Sequence, residues 1–318
     1  MIDQYGRTIN YLRLSVTDKC NLRCKYCMPE EGIEKVRHDD ILTYEEITQV
    51  VETMSQMGVD KIRITGGEPL VRPGIVNLVS MLSRLDSVRE VTMTTNGILL
   101  SGMAEDLKKA GLRRVNISLD SLNPARFKEM TRGGDLSKVI AGIDAAKRHG
   151  LTPIKLNVVL INGFNDDEIQ DFVALTMDDE IDVRFIELMP IGEVAKWNKS
   201  QFVSNKIVLE RMPELIPTIS KDPSSPATYY KLPGGKGKVG LISPISCKFC
   251  DMCNRVRITS EGFLKQCLHS NEEIALRPLI KSIALLEHTL RRTVFEKPEE
   301  HQIEEGHVMT RNMVEVGG

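Results

Sequence analysis

The stretch that decides the fold is Tyr11-Leu12-Arg13-Leu14-Ser15-Val16-Thr17-Asp18-Lys19-Cys20-Asn21-Leu22-Arg23-Cys24-Lys25-Tyr26-Cys27. Its first seven residues alternate polar and apolar side chains, which is the pattern of a strand with two different faces. Its last eight residues carry three cysteines, and thiolates suit zinc, copper(I) or iron–sulfur clusters. Structural zinc sites and ordinary ferredoxin clusters use four protein ligands. Three thiols therefore indicate either a metal position open to a further ligand or a zinc loop whose fourth ligand lies far along the chain.

The composition narrows the classes of protein to which the chain can belong. Its 318 residues suffice for one large α/β domain or for a domain with an appendage. The 42 basic and 44 acidic residues leave a net charge of -2, which argues against a general nucleic-acid-binding surface. The sequence contains neither an apolar run of membrane-spanning length nor the apolar core of a signal peptide. Seven cysteines without an export signal argue against a disulfide framework, so we expect a cytoplasmic metalloprotein.

Strand-like and helix-like segments alternate through the first part of the chain. The six predicted strands are residues 11–17, 61–65, 91–95, 114–119, 154–160 and 183–189. Between them, Thr43 and Glu46 form a capping-box pattern, and Gly58, Gly111 and Gly150 stand where helices end. Strands that alternate with helices of this length predict βαβ units and a parallel sheet.

One face of the predicted strands is polar and the other is apolar. The polar face carries Arg13, Ser15, Thr17, Lys61, Arg63, Thr65, Thr92, Thr94, Asn96, Asn116, Ser118, Asp120, Lys155 and Asn157. A doubly wound parallel sheet has helices on both faces and would be apolar on both. We therefore predict an α/β fold with a curved sheet and helices outside, an open, partial (βα)6 TIM-like barrel around a ligand.

The polar face is also cationic. Its positive side chains are Arg13, Lys61, Arg63 and Lys155, and Arg184 of the sixth strand is expected to join them. Several cations that face one cavity need anionic partners, because each would otherwise cost several kcal/mol to bury. The pattern thus predicts a polyanionic ligand such as a nucleoside triphosphate.

The remainder of the chain has a different character. Several prolines and the run Gly234-Gly235-Lys236-Gly237 precede four further cysteines. That run lacks the spacing of a phosphate-binding P-loop, so we interpret it as a hairpin turn. We expect residues 1–190 to form the barrel and residues 191–318 to form a C-terminal extension with a helical stretch at 276–292.

Two motifs resemble the radical S-adenosylmethionine (radical SAM) superfamily. They are Cys20-x3-Cys24-x2-Cys27 after the first strand and Gly66-Gly67-Glu68-Pro69 after the second. Within the superfamily the chain is similar to the GTP 3′,8-cyclases that open molybdenum cofactor biosynthesis. The segments that carry this closer resemblance are residues 13–18, 61–70, 94–97, 111–120, 184–190 and 249–257, with Cys267 and Gly317-Gly318.

The resemblance implies the radical SAM fold, S-adenosylmethionine as cofactor and two [4Fe-4S] clusters. The ligands of the first cluster would be Cys20, Cys24 and Cys27, and those of the second, in the extension, would be Cys250, Cys253 and Cys267. The implied S-adenosylmethionine contacts are Tyr26, Gly67, Glu68, Ser118 and Met189. The implied GTP contacts are Arg13, Arg63, Thr94, Lys155, Arg255, Val256 and Arg257. Catalytic roles are implied for Arg13, Arg255, Arg257, Gly317 and Gly318, the last two in a tail that reaches the active site.

The reaction that the resemblance implies is a radical cyclisation of GTP. A 5′-deoxyadenosyl radical from S-adenosylmethionine would abstract the ribose C3′ hydrogen, and the sugar radical would attack C8 of the guanine. The product would be (8S)-3′,8-cyclo-7,8-dihydroguanosine 5′-triphosphate, and the enzyme a lyase. Such an enzyme needs an electron donor and no nucleic acid or membrane, and the resemblance favours a homodimer over a monomer.

The sequence leaves three alternatives open. Cys247 could be a fourth ligand of the second cluster, because Cys247-x2-Cys250-x2-Cys253 is similar to a ferredoxin run, although a spare cysteine is more often a small buried hydrophobe. A different radical enzyme, such as one that modifies peptides, is disfavoured by the cationic face. An electron carrier or a zinc-stabilised module would not need six βα units.

Overall fold

A computed structural model describes residues 1–34, 36–219, 222–303, 309 and 311–317. The strands are β1 (Tyr11–Ser15), β2 (Lys61–Thr65), β3 (Glu90–Thr95), β4 (Arg114–Ser118), β5 (Ile154–Leu160), β6 (Ile181–Glu187), β7 (Ile216–Thr218), β8 (Ala227–Lys231), β9 (Val239–Ile242), β10 (Arg255–Ile258), β11 (Phe263–Lys265) and β12 (Ile274–Ala275). The helices are α1 (Tyr44–Gln56), α2 (Ile75–Ser83), α3 (Ala104–Lys109), α4 (Pro124–Thr131), α5 (Leu136–Arg148), α6 (Ile169–Asp178), α7 (Lys206–Arg211), α8 (Ile283–Phe295) and α9 (Met313–Val316).

The first six strands lie side by side in chain order and all are parallel. This confirms the six predicted βα units, with strand boundaries shifted by at most two residues. The predicted capping box is present at α1, where Oγ1 of Thr43 accepts from the Glu46 amide at 3.1 Å and the Glu46 carboxylate accepts from the Thr43 amide at 2.8 Å. Local patterning is therefore enough to define this part of the fold.

The last long helix begins later than predicted. Residues Arg277–Leu279 form a 3-10 turn that contains Pro278, and α8 starts only at Ile283. The side chain of Ser282 caps α8 by accepting from the Leu285 amide. A proline and a capping serine, rather than the apolar periodicity alone, decide where this helix begins.

Strands from the second part of the chain extend both edges of the sheet. The strand order of the described residues is β12-β11-β10-β1-β2-β3-β4-β5-β6-β9-β8-β7. β10 pairs in parallel with β1, and β9 pairs in parallel with β6. Gly234-Gly235-Lys236-Gly237 joins the antiparallel strands β8 and β9, which confirms the hairpin. The Lys236 and Gly237 amides donate to carbonyls of α6, so they do not form a phosphate-binding loop.

The two faces of the sheet have the predicted chemistry. Leu12, Ile62, Ile64, Ile117 and Leu156 are completely buried in one apolar core that includes residues of the surrounding helices. The alternate side chains line the interior of the curved sheet. This arrangement confirms the partial barrel. Among the described residues, no helix is both long enough and apolar enough to cross a bilayer.

Candidate active site

A cavity of about 320 Å³ lies inside the curved sheet. Both predicted sets of three cysteines line it, as do the predicted residues Arg13, Tyr26, Arg63, Gly67, Thr94, Ser118, Met189, Arg255 and Arg257. The first set follows the carboxyl end of β1. The second lies near the opposite end of that strand, because Arg255, two residues after Cys253, is opposite Tyr11 at the start of β1. The cavity thus runs along the strands between two groups of thiols.

The loop that carries the first cysteines is held by two neighbouring segments. The Arg132 guanidinium, at the end of α4, donates to the carbonyls of Arg23 and Met28, each at 3.0 Å. On the other side Gly67 passes so close that a Cβ there would lie 2.4 Å from the Lys19 carbonyl oxygen. Only glycine permits this approach, which explains the need for the second glycine after β2.

Glu68 is turned away from the cavity. Its carboxylate accepts hydrogen bonds from the Leu70 amide at 3.0 Å, from Oγ1 of Thr95 at 2.8 Å and from the Asn96 amide at 2.6 Å. It is 1% exposed, and this burial raises the pKa of its carboxyl group to about 7. The side chain that the resemblance associates with the cofactor therefore joins the ends of β2 and β3.

Asp120 connects two segments of the cavity wall. Its carboxylate accepts from the Tyr26 hydroxyl at 2.8 Å and from the Val159 amide at 2.9 Å. Burial raises the pKa of Asp120 to about 6. Burial and the negative charge of Asp120 raise the pKa of Tyr26 well above its usual value. Alternation placed Asp120 on the polar face, but nothing in the sequence links it to Tyr26, 94 residues away.

The first three thiols fit a metal cluster by their chemistry. Burial raises the pKa of Cys20 to about 11, and burial followed by the charge of Cys27 raises that of Cys24 well above its ordinary value. Burial also raises the pKa of Cys27, and three such thiols need a positive centre to be held as thiolates, which the irons of a cluster provide. Within the described part of the chain, no three cysteine, histidine or carboxylate side chains converge as ligands of one metal ion would.

The second group of thiols lies in a more cationic environment. Burial favours the neutral thiol of Cys253, but Arg255 and Lys297 outweigh it and lower its pKa to about 7. Such a thiol is about half ionised at neutral pH, and the thiolate is the form that binds iron. Cys247 is exposed and lies outside the cavity lining. Sequence reasoning missed Lys297, which lies in a polar segment without any recognisable pattern.

Three arginines stand side by side on adjacent strands. Arg13 of β1 is directly opposite Arg257 of β10 on one side and Arg63 of β2 on the other. Burial lowers the pKa of Arg63 and that of Arg257 to about 10. Like charges in register destabilise a sheet, so this row indicates a site that is completed by an anion.

Further unsatisfied donors point into the same region. Among the described residues, Nε of Arg63 and Nε of Arg184 are buried and have no hydrogen-bond partner. The same is true of Oγ1 of Thr94. Buried polar groups are normally hydrogen-bonded, and their convergence on one cavity marks the place of a ligand with many acceptor oxygens.

The predicted cations divide between this cavity and a second one. The second cavity, of about 570 Å³, lies at the amino ends of the strands and shares Arg63 and Arg184 with the first. Lys61 and Lys155 line only the second cavity, where Lys61 pairs with Asp222 at 2.7 Å. Lys155 lies 3.2 Å from the Tyr229 hydroxyl and 3.5 Å from Asp182.

The C-terminal tail enters the barrel. The Gly317 carbonyl accepts a 2.7 Å hydrogen bond from the Arg257 guanidinium, and a Cβ at Gly317 would lie 2.3 Å from Oγ1 of Thr65. Gly318 lies outside the described residues. Val256 faces away from the cavity, since its side chain is buried in the apolar core opposite Leu12. Only the main chain of Val256 is left to contact a ligand.

Comparisons with known proteins agree with this geometry. A model of the radical SAM superfamily matches residues 14–176, and one described as Molybdenum Cofactor Synthesis C matches residues 181–303. Curated relatives named GTP 3',8-cyclase come from Peptoclostridium acidaminophilum (57% identity, 100% of this chain and 98% of that protein) and Alkaliphilus oremlandii (55% identity, 100% of both). The crystal structure of Streptococcus suis SuiB bound to precursor peptide SuiA has a TM-score of 0.66 at 15% identity, over 92% of this chain and 66% of that one, and shows the fold alone. The chain belongs to the GTP 3',8-cyclase family of the radical SAM superfamily.

Proposed function

We propose that this chain is a radical SAM lyase that converts GTP to (8S)-3′,8-cyclo-7,8-dihydroguanosine 5′-triphosphate, the first step of molybdenum cofactor biosynthesis. The observation that carries the proposal is the row Arg257, Arg13 and Arg63, which crosses the cavity between the two groups of thiols. A buried cationic row suits a triphosphate, and the thiols supply soft ligands for clusters.

Cys20, Cys24 and Cys27 would hold a [4Fe-4S] cluster at the carboxyl end of β1. With S-adenosylmethionine bound there, the cluster would supply the electron that cleaves its sulfonium into methionine and a 5′-deoxyadenosyl radical, and this radical would abstract the C3′ hydrogen of the ribose. Tyr26, Gly67, Ser118 and Met189 line this part of the cavity and would surround the cofactor. Glu68 would act from behind, by fixing the backbone on which the cofactor rests.

The remaining polar residues would bind GTP. Arg13, Arg63 and Arg184 present guanidinium donors that match phosphate oxygens in pairs, and Thr94 offers an unused hydroxyl. Lys155 would bind the end of the triphosphate, since the second cavity, which it lines, adjoins the first cavity at Arg63 and Arg184. The guanine would then lie towards the second cluster at Cys250, Cys253 and Cys267, beside Arg255 and the main chain of Val256. Arg257 and the tail at Gly317 would close the reaction space.

The partners and organisation belong to the same proposal. An electron donor must reduce the first cluster, because cleavage of the sulfonium of S-adenosylmethionine consumes an electron. The family resemblance supports a homodimer that works in the cytoplasm. We divide the chain into residues 1–190, the barrel, and residues 191–318, the extension with the second cluster.

Anaerobic incubation with GTP, S-adenosylmethionine and a strong reductant tests the function. We expect 5′-deoxyadenosine and a cyclised nucleotide to form with GTP but not with ATP or a peptide. About eight irons per chain should accompany the activity, as two [4Fe-4S] clusters require. Formation of 5′-deoxyadenosine that does not depend on GTP, or a zinc-containing protein with about four irons or fewer, would overturn the proposal.

A further inference from the structure

We propose that Arg7 is a positioning residue for the second cysteine site. It fastens the segment of residues 297–301 to Cys250, and that segment in turn sets the separation of Cys250 from Cys267. Arg7 lies in none of the cavity-lining positions, so its effect on the site would be exerted through the backbone. The inference rests on the proposed second cluster.

Arg7 is buried and donates hydrogen bonds to three separate parts of the chain. Its Nε donates to the Asp3 carboxylate at 2.6 Å, and both groups are almost completely buried. One terminal nitrogen donates to the Cys250 carbonyl at 2.9 Å and to the Glu299 carbonyl at 2.6 Å, and the other donates to the Pro298 carbonyl at 2.6 Å. One side chain therefore fixes residues 298 and 299 directly against Cys250.

The segment held by Arg7 also joins the two halves of the thiol group. Nζ of Lys297 donates to the Gln266 carbonyl at 2.5 Å, immediately before Cys267. Four residues later, the backbone of His301 lies beside the Cys250 thiol. One end of the segment thus contacts the residue before Cys267, and the other contacts Cys250. A change in the conformation of residues 297–301 would therefore change the distance between these two cysteines.

This set of hydrogen bonds requires arginine. A guanidinium has five N–H donors in a rigid fork, and here it satisfies one carboxylate and three carbonyls together. Lysine would keep the ion pair with Asp3 but could not reach all three carbonyls in one geometry. Glutamine would remove the cation that pairs with Asp3, leaving that carboxylate with backbone amides as its donors, and could not donate to all three carbonyls.

The rest of the second cysteine segment has its own anchors. The Asn254 carbonyl accepts from the amides of Asn10 and Tyr11, at 3.2 and 3.1 Å, and β10 continues into the sheet beside β1. Loss of Arg7 should therefore leave the barrel and the first cysteine loop folded. The expected damage is confined to the geometry of the second site.

The experiment compares iron and sulfide content and the electron paramagnetic resonance (EPR) spectrum of the anaerobically reconstituted, reduced full chain. We expect about eight irons in the wild type and about four in Arg7→Gln, with the spectrum of the first cluster retained. Arg7→Lys should fall between these values or show an altered spectrum and reduction potential for the second cluster. Asp3→Asn, which keeps the acceptor oxygen but removes the charge, should cause a smaller loss.

Two matched arginine variants show whether the effect is local. Arg211→Gln removes a guanidinium that contacts both the carboxylate and the backbone carbonyl of Asp166, away from the cysteines, and should retain about eight irons. Arg132→Gln releases the first loop and should reduce loading of the first cluster instead. Loss of the second cluster in Arg211→Gln to the same extent as in Arg7→Gln would overturn a specific role for Arg7.

The outcomes separate this inference from the proposed function. A wild type with about four irons or fewer would refute the second cluster itself. A wild type with about eight irons, together with an Arg7→Gln protein of equal iron content, spectrum and potential, would refute only the role of Arg7. If Arg7→Gln does not fold, as shown by loss of the cooperative thermal transition of the wild type, the milder variants Arg7→Lys and Asp3→Asn test the role of Arg7 instead. Wild-type spectra of the second cluster in both variants would overturn the inference.

Discussion

Replacement of Gly317 by alanine should displace the tail from the cavity and leave the cysteines intact. Gly317 has a φ of +71°, in the left-handed region that L residues rarely adopt. Its missing Cβ would lie 2.3 Å from Oγ1 of Thr65 and 3.1 Å from Cβ of Ser15. Its carbonyl also accepts the 2.7 Å hydrogen bond from Arg257. The added methyl group must therefore move either the tail or the barrel wall.

The structure gives the size of the effect. The left-handed conformation costs alanine about 1–2 kcal/mol relative to glycine, which lowers the docked population of the tail roughly five- to thirty-fold. Loss of a hydrogen bond to a charged guanidinium adds about 1.5–3 kcal/mol, so the total of about 2.5–5 kcal/mol corresponds to a loss of the docked tail of about seventy-fold or more. We expect turnover at saturating GTP and S-adenosylmethionine to fall at least about tenfold, while iron content remains that of the wild type.

A second glycine provides the control. Gly163 has a φ of +72°, and a Cβ there would meet nothing within 4 Å. Gly163→Ala therefore carries the same backbone strain outside the cavity, and it should lower thermal stability without changing turnover. The measurement is the rate of cyclised product per iron-loaded chain. Equal rates for wild-type and Gly317→Ala proteins at equal iron content would refute the reasoning.

Three further changes test other parts of the site. Arg63→Lys should weaken GTP binding in calorimetry by about tenfold, because lysine cannot pair with two phosphate oxygens at once, whereas Arg89→Lys on the surface should leave it unchanged. Cys247→Ala should keep the iron content and activity of the wild type, and lost iron would make Cys247 a ligand. Burial raises the pKa of Glu68 from 4.5 to about 7, so between these pH values the folded protein holds a proton that the unfolded chain has lost. The free energy that this proton adds to the stability of the fold is fully present below about pH 4.5. It is lost, by about 3 kcal/mol, as the pH rises through 7. Thermal denaturation from pH 5 to 8 should show this decline in the wild type but less of it in Glu68→Gln, and parallel curves would contradict it.

The barrel could be predicted from the sequence because its signals are local. Alternation with a period of two residues places Arg13 and Arg63 on one face of their strands and their neighbours Leu12 and Ile62 on the other. A capping box or a terminal glycine marks the ends of the helices. The same alternation predicts that the cations lie on the inner face of the sheet. These features depend only on neighbours within a few residues.

The remaining features depend on contacts between distant residues. The parallel pairing of β10 with β1 brings Arg257 beside Arg13, 244 positions away in the chain, and no local pattern specifies a partner at that distance. Two other contacts also join residues that are far apart in the chain. They are the hydrogen bond from Tyr26 to Asp120 and the approach of Lys297 to Cys253. Such contacts are selected by burial of the whole sheet, so the sequence shows the residues but not their partners.

The register between β10 and β1 determines the chemistry of the cavity. Val256 pairs with Leu12 on the apolar face, and this places Arg255 and Arg257 inside the barrel. A slip of one residue would exchange the faces, burying both arginines in the core and turning Val256 inward. The same register places Cys253 beyond one end of β1 and Cys20 beyond the other, and five residues at about 3.3 Å each separate these ends by roughly 15 Å. A ligand that reaches from one group of thiols to the other must therefore follow β1 and cross the arginine row, which is the arrangement that a nucleotide with a charged phosphate chain satisfies.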